Sequence, residues 1–124
     1  MQGYQELQIW QRSRQLVSVI YSLAKQFPPN EQYGLVSQIQ RCVISVPSNI
    51  AEGWSRNSTK EFVNFLYTAR GSLAELETQL LLATDLGYIQ TSDLTPVLEE
   101  IVQINKMLIA MINTLKQKTL DANR

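Results

Sequence analysis

An all-α fold is predicted, an antiparallel up-down-up-down four-helix bundle, and three observations carry it. Apolar residues recur at three- and four-residue spacing over four long stretches. The breaks between them are short and hold helix punctuation: Pro28-Pro29, Arg56-Asn57, and Gly87 ahead of Tyr88–Thr91. Short connections between long helices make sequence neighbours antiparallel. The expected helices cover about 5–27, 30–56, 59–86 and 92–118 of a single domain spanning 1–124.

In the first helix Ile9, Ser13, Leu16, Ile20, Leu23 and Phe27 step by four and three, the rhythm of a bundle seam. Trp10, Val17, Tyr21 and Ala24 form a second stripe beside it. Pro28 is expected to end the helix, because the residue before a proline is pushed out of the α region.

Asn30 is the expected N-cap of the second helix, with Glu31 in the first turn where the helix dipole favours an acid. Its seam runs Leu35, Ile39, Cys42, Val46, then meets Asn49 and Gly53; Val36, Val43, Ile50 and Trp54 widen it. Pro47 sits in mid-run, where a proline costs roughly 3 kcal/mol. Burial against the other helices must hold that segment.

Ser58-Thr59-Lys60-Glu61 reads as a capping box: the serine takes one orphan N–H, and the glutamate reaches back to another. The third helix then carries an unbroken seam of Phe62, Leu66, Ala69, Leu73, Leu76, Leu80 and Ala83. Gly87 suits the left-handed position that follows a helix. The fourth helix is expected to begin near Ser92, or at Thr95 with Pro96 in first position. Its seam is Leu98, Ile101, Leu108, Ile112 and Leu115, with Asn105 replacing one apolar residue. The polar end, Lys116–Arg124, is expected to fray.

The chain has 124 residues, with eleven basic and eleven acidic side chains in balance, so no overall field draws it to nucleic acid or an anionic membrane. It contains no histidine and one cysteine. Ser-His and Cys-His nucleophile pairs, Glu-x-x-His metal motifs and multi-cysteine zinc sites are therefore excluded. No catalytic residue, metal or cofactor is expected, and no small-molecule substrate. Met1–Tyr4 lacks a basic n-region with an apolar run behind it, and no stretch approaches the ~18 apolar residues of a membrane span. A cytoplasmic location is the expectation.

The apolar stripes are wider than the roughly one third of a helix circumference that a monomeric bundle hides. Leu80-Leu81-Leu82 points in three directions, and Tyr67, Val102 and Ile109 lie off the seams, as do Trp10 and Tyr21. An aligned second stripe marks a partner surface. Trp10, Tyr21, Tyr67 and Leu81, with Trp54 as a further anchor, are the candidate subunit contacts of a homo-oligomer.

Arg41, Arg56, Lys60 and Arg70 flank the junction of the second and third helices and are candidate phosphate contacts of a nucleic-acid site. Glu52, Glu61, Glu75 and Glu77 share that region and offer ion pairs instead. Ser45, Ser48, Asn49 and Glu52 surround Pro47. Without a general base they read as structural groups that satisfy the carbonyl freed by Pro47 or bond across the bundle. Asn49 resembles a register-fixing polar residue, and Gly53 and Gly71 permit close helix approach or a bend. Cys42 reads as core.

A family resemblance rests on Trp10-Gln11, Phe27-Pro28, Glu31, Tyr33-Gly34-Leu35, Lys60-Glu61-Phe62, Gly71-Ser72-Leu73, Glu75-Leu76-Glu77 and Leu86-Gly87-Tyr88-Ile89. Its centre is Val46-Pro47-Ser48-Asn49-Ile50-Ala51-Glu52-Gly53. Together these resemble the four-helix-bundle proteins named for the intervening sequences of 23S ribosomal RNA genes. The resemblance implies a barrel-like homopentamer with no established enzymatic activity. It also implies similarity in fold to the accessory variability determinant of diversity-generating retroelements, a basic pentamer that works with a reverse transcriptase and nucleic acid. Gln40 stands where the family often has a second arginine beside Arg41, which removes positive charge. Cys42 replaces a small residue.

Overall fold

The structure, a computed structural model, describes residues 3–122. It contains α1 (Gln8–Ala24), α2 (Leu35–Trp54), α3 (Thr59–Asp85) and α4 (Thr91–Ala122), with single 3-10 turns at Tyr4–Glu6 and Pro29–Glu31. No strand occurs among the described residues. Each helix packs on its neighbours in sequence, and α4 closes back on α1, which makes a four-helix bundle. The start of α1, the end of α2, the start of α3 and the end of α4 share one end of the bundle.

The helix boundaries depart from expectation where local turns intervene. α1 stops at Ala24, before Phe27, because Lys25, Gln26 and Phe27 donate to Ser22, Leu23 and Ala24 in a tightened last turn. Asn30 does not cap α2. Pro29–Glu31 forms its own 3-10 turn, and Gly34 stands at the N-cap position of α2. The cap comes from further off: the Glu31 Oε1 accepts from the Leu35 N–H at 3.3 Å. α4 begins at Thr91, so Pro96 lies inside the helix rather than at its first position. At its other end α4 continues to Ala122, past the expected end near 118; Asn123 and Arg124 lie outside the described residues.

Two punctuation signals take the conformation their residues dictate. Ser58 Oγ accepts from the Glu61 N–H at 3.1 Å and donates to Glu61 Oε2 at 3.0 Å, so the glutamate meets the serine hydroxyl rather than its backbone. Gly87 has φ 79°; its N–H reaches the Thr84 carbonyl while Tyr88 N–H reaches that of Ala83. That paired bonding is the Schellman arrangement.

Every seam position expected in α1 and α3 is buried. Buried Ser13 is satisfied by donating to the Ile9 carbonyl at 2.5 Å. In α2 the helix runs unbroken through Pro47, between Val43, Val46 and Ile50, which have no exposed surface. The α4 seam differs from the expected one. Its buried line is Leu94, Val97, Ile101, Ile104, Leu108 and Ile112, so Ile104 and not Asn105 faces the core. Leu98 and Leu115 are only partly buried.

Candidate functional site

α2 and α3 share the most extensive contact in the bundle. Small groups allow it. A Cβ on Gly53 would stand 2.7 Å from Phe65 Cβ and 2.9 Å from Phe62 Cδ1, so the helix crossing requires glycine. Gly71 has open space around it and permits no close approach. Higher in the same seam, Cys42 Sγ donates to the Ser72 carbonyl at 3.1 Å and lies 3.5 Å from Glu75 Oε2, while Ser45 and Ser72 hydroxyls share a bond of 2.8 Å. Burial pushes the Cys42 thiol up to about 12, and the Glu75 carboxylate adds to the shift. A thiol so protonated is not a nucleophile.

Asn49 turns back on its own helix, donating to the Ser45 carbonyl at 2.8 Å and to Ser45 Oγ at 2.9 Å. It is half-buried, and bonds neither across the bundle nor to the Val43 carbonyl that Pro47 leaves without its helical donor. Only Ser45 of the polar residues around Pro47 crosses to α3; Ser48 and Glu52 face outwards.

The four candidate phosphate contacts do not gather into one patch. Arg56 pairs with Glu52 at 2.9 Å and stacks over Phe65, with 4.9 Å to the ring centre. Lys60 is exposed nearby at the start of α3. Arg41 lies fifteen residues up α2, roughly 22 Å along a helix. Arg70 turns the other way, into a cleft between α3 and α4 beside Glu77, Asn105 and Lys106.

The candidate subunit contacts divide between two opposite sides of the bundle. On the α1/α2 side, Trp10 and Tyr21 stand on one line of α1 at positions 10, 14, 17 and 21, and Ile44 is exposed on α2. Trp10 is half-buried within its own subunit: Tyr4 packs edge-on against it at 5.3 Å and the Arg14 guanidinium covers it at 5.4 Å. On the α3/α4 side, Tyr67 and Leu81 share a line of α3, and Val102 of α4 faces the same cleft as Arg70. Lys116 of α4 donates to the Tyr67 hydroxyl at 3.2 Å. Tyr21, Tyr67, Leu81 and Val102 keep 39, 42, 44 and 46% of their surface exposed. Trp54 is exposed at the bundle end, its ring perpendicular to that of Phe62.

One feature of the surface was not anticipated from sequence. α1 and α4 make the least extensive contact of the four neighbouring pairs, and a groove of about 750 Å³ opens between them. Leu16, Val19, Leu23 and Val97 form its floor, and Gln15, Ser18, Ser22 and Gln26 its rim. Arg12 crosses the groove to grip Glu100, Nε to Oε2 at 2.9 Å and Nη2 to Oε1 at 2.5 Å, which raises the arginine pKa further. The i, i+3, i+4 spacing of Arg12, Gln15, Val19, Ser22 and Gln26 was readable, but not that α4 leaves them uncovered.

Among the described residues no helix is long and apolar enough to cross a membrane, and no group of three or more His, Cys, Asp or Glu side chains is placed to hold a metal ion. The family described as 23S rRNA-intervening sequence protein matches residues 5–110. A solved structure of a protein with unknown function from the S23 ribosomal protein family of Bacteroides thetaiotaomicron is similar, at 26% sequence identity and a TM-score of 0.78. That match covers 85% of this chain and 95% of the other. No curated protein matches the chain.

Proposed function

The chain belongs to the 23S rRNA-intervening sequence protein family, and from that premise we propose that it is a non-enzymatic scaffold or adaptor whose copies assemble into a closed ring, five by the family resemblance. The observation that carries this is the pair of unlike apolar strips on opposite sides of one subunit, Trp10, Tyr21 and Ile44 against Tyr67, Leu81 and Val102. A two-fold dimer uses one patch twice, whereas two different patches on opposite sides suit head-to-tail contact, which closes into a ring when the rotation permits. Such a surface is costly to leave in water and is covered when the strip of one copy meets the other strip of the next.

Sedimentation velocity at micromolar concentration tests it. The expected mass is five times the 14.2 kDa protomer. Val102→Glu, which places a charge in one strip only, is expected to shift the population towards monomer. A wild-type monomer at that concentration would remove the ring.

A second reading, accessory binding of RNA or DNA, is favoured by one observation. Three cations lie over aromatic rings, Arg14 on Trp10, Arg56 on Phe65 and Lys116 on Tyr67. Cations set among aromatic rings are what single strands stack and pair against. An electrophoretic shift with single-stranded RNA at ~100 mM salt, weakened by Arg56→Gln and by added salt, is the expected result. No shift at that ionic strength would sink the second reading and leave the first untouched.

A further inference from the structure

The α1/α4 groove lies away from both apolar strips, and its chemistry is one-sided. Val19 at its centre is 47% exposed, the least covered large apolar side chain of α1. Three ionised groups line the groove, but Arg12 and Glu100 neutralise one another at one end. At the other end the Asp93 carboxylate has no ion pair among the described residues. Asp93 is thus the one unpaired charge that lines the groove, and it is an acceptor. An occupant must bring an apolar ridge for Val19 and donors for that one end.

We propose that this groove docks a short amphipathic helix of a partner protein, with a lysine or arginine at the end that meets Asp93. From Arg12 to Gln26 the groove follows α1 for roughly 21 Å, the length of about fourteen helical residues. A ridge of leucines at i, i+4 and i+7 would lie along Leu16, Val19 and Leu23, adding a fifth helix where the bundle is least closed. The inference deepens the scaffold reading and rests on it for its biological sense: it names the class of client that an adaptor would hold.

Two labelled peptides of about fourteen residues, sharing the leucine ridge and differing only by a lysine or a glutamate at one end, serve as probes. Fluorescence anisotropy is read against the full chain in its native assembly. The lysine peptide is expected to bind, and the glutamate peptide about tenfold more weakly. Asp93→Lys is expected to reverse that order, and Val19→Glu to abolish binding of both; each replaced side chain is exposed, so the fold is retained. Binding of neither peptide, a preference that Asp93→Lys leaves unchanged, or undiminished binding by Val19→Glu would overturn the proposal. Sedimentation of the same samples separates it from the ring. If Val19→Glu alone dissociates the assembly, another copy covers the groove and the docking proposal fails. If the wild type is monomeric yet the peptide preference reverses, docking stands and the ring falls.

Discussion

The seam between α2 and α3 and the seam between α4 and α1 close the same bundle in opposite ways. In the first, Gly53, Cys42, Ser45 and Ser72 are small enough for the helix surfaces to interlock, and their polar atoms find partners across or within the seam. In the second, Arg12 reaches over a gap to Glu100 and Val19 stays half in water. Gly53 lets the first pair close, since a Cβ there would meet Phe65 and Phe62. Close approach buries surface and fixes geometry, so the α2/α3 seam serves the fold. Loose approach leaves a groove, so the α1/α4 seam is available to something else.

The contrast can be broken most sharply at glycine. Gly53→Ala sets a methyl against Phe65 Cβ and the Phe62 backbone, atoms that move only with their helix. It is expected to cost about 2 kcal/mol despite the better helix propensity of alanine, read as a fall in the urea midpoint. Gly71→Ala, in open space on α3, is expected to act with the opposite sign and raise stability by about 0.5–1 kcal/mol.

Alkaline pH sharpens the comparison from within the tight seam. Below the ordinary thiol value both folded and unfolded Cys42 hold their proton, and stability is unaffected. Between about 9 and about 12 the unfolded thiol ionises and the folded one does not, so stability falls as pH rises. The urea midpoint of the wild type is expected to drop more over that interval than that of Cys42→Ala.

The loose seam should respond weakly. Arg12→Met breaks a bridge whose side chains are 37% and 30% exposed, and a loss of no more than about 1 kcal/mol is expected, shrinking as salt is added. Val19→Ala is expected to change the midpoint by less than about 0.5 kcal/mol, since the side chain packs little. A larger loss would mean that α1 and α4 depend on the groove residues after all.

Sequence spacing gave a reliable account of the buried seams of α1 and α3 because each is one unbroken line of three- and four-residue steps, with further apolar residues such as Tyr21 and Leu81 standing off it. α4 was ambiguous: Leu98, Ile101, Val102, Ile104, Leu108 and Ile109 surround much of the helix, and periodicity alone placed Asn105 in the seam that Ile104 occupies. The start of α2 was misplaced because its cap is not the residue ahead of the helix but Glu31, one turn back, folded onto Leu35 by the 3-10 turn. Ser58 and Gly87 were legible because their conformations are local. The groove was not. It depends on how closely the first and last helices approach, and no spacing within either helix records that distance. The candidate phosphate residues failed to converge for the same reason: Arg70 and Arg56 sit on different sides of the bundle, which a linear reading cannot distinguish.

Tyr88 ties the two connections at one end of the molecule, donating to Glu31 Oε2 at 2.7 Å while its ring rests 5.5 Å from that of Phe27. That clasp joins the α1–α2 corner to the α3–α4 corner, as the spring of a clothes-peg joins its jaws. Any parting of α1 from α4 must then begin at the far end and widen towards the clasp. Amide protons in the first turns of α1 should accordingly trade with solvent sooner than those in its last turns.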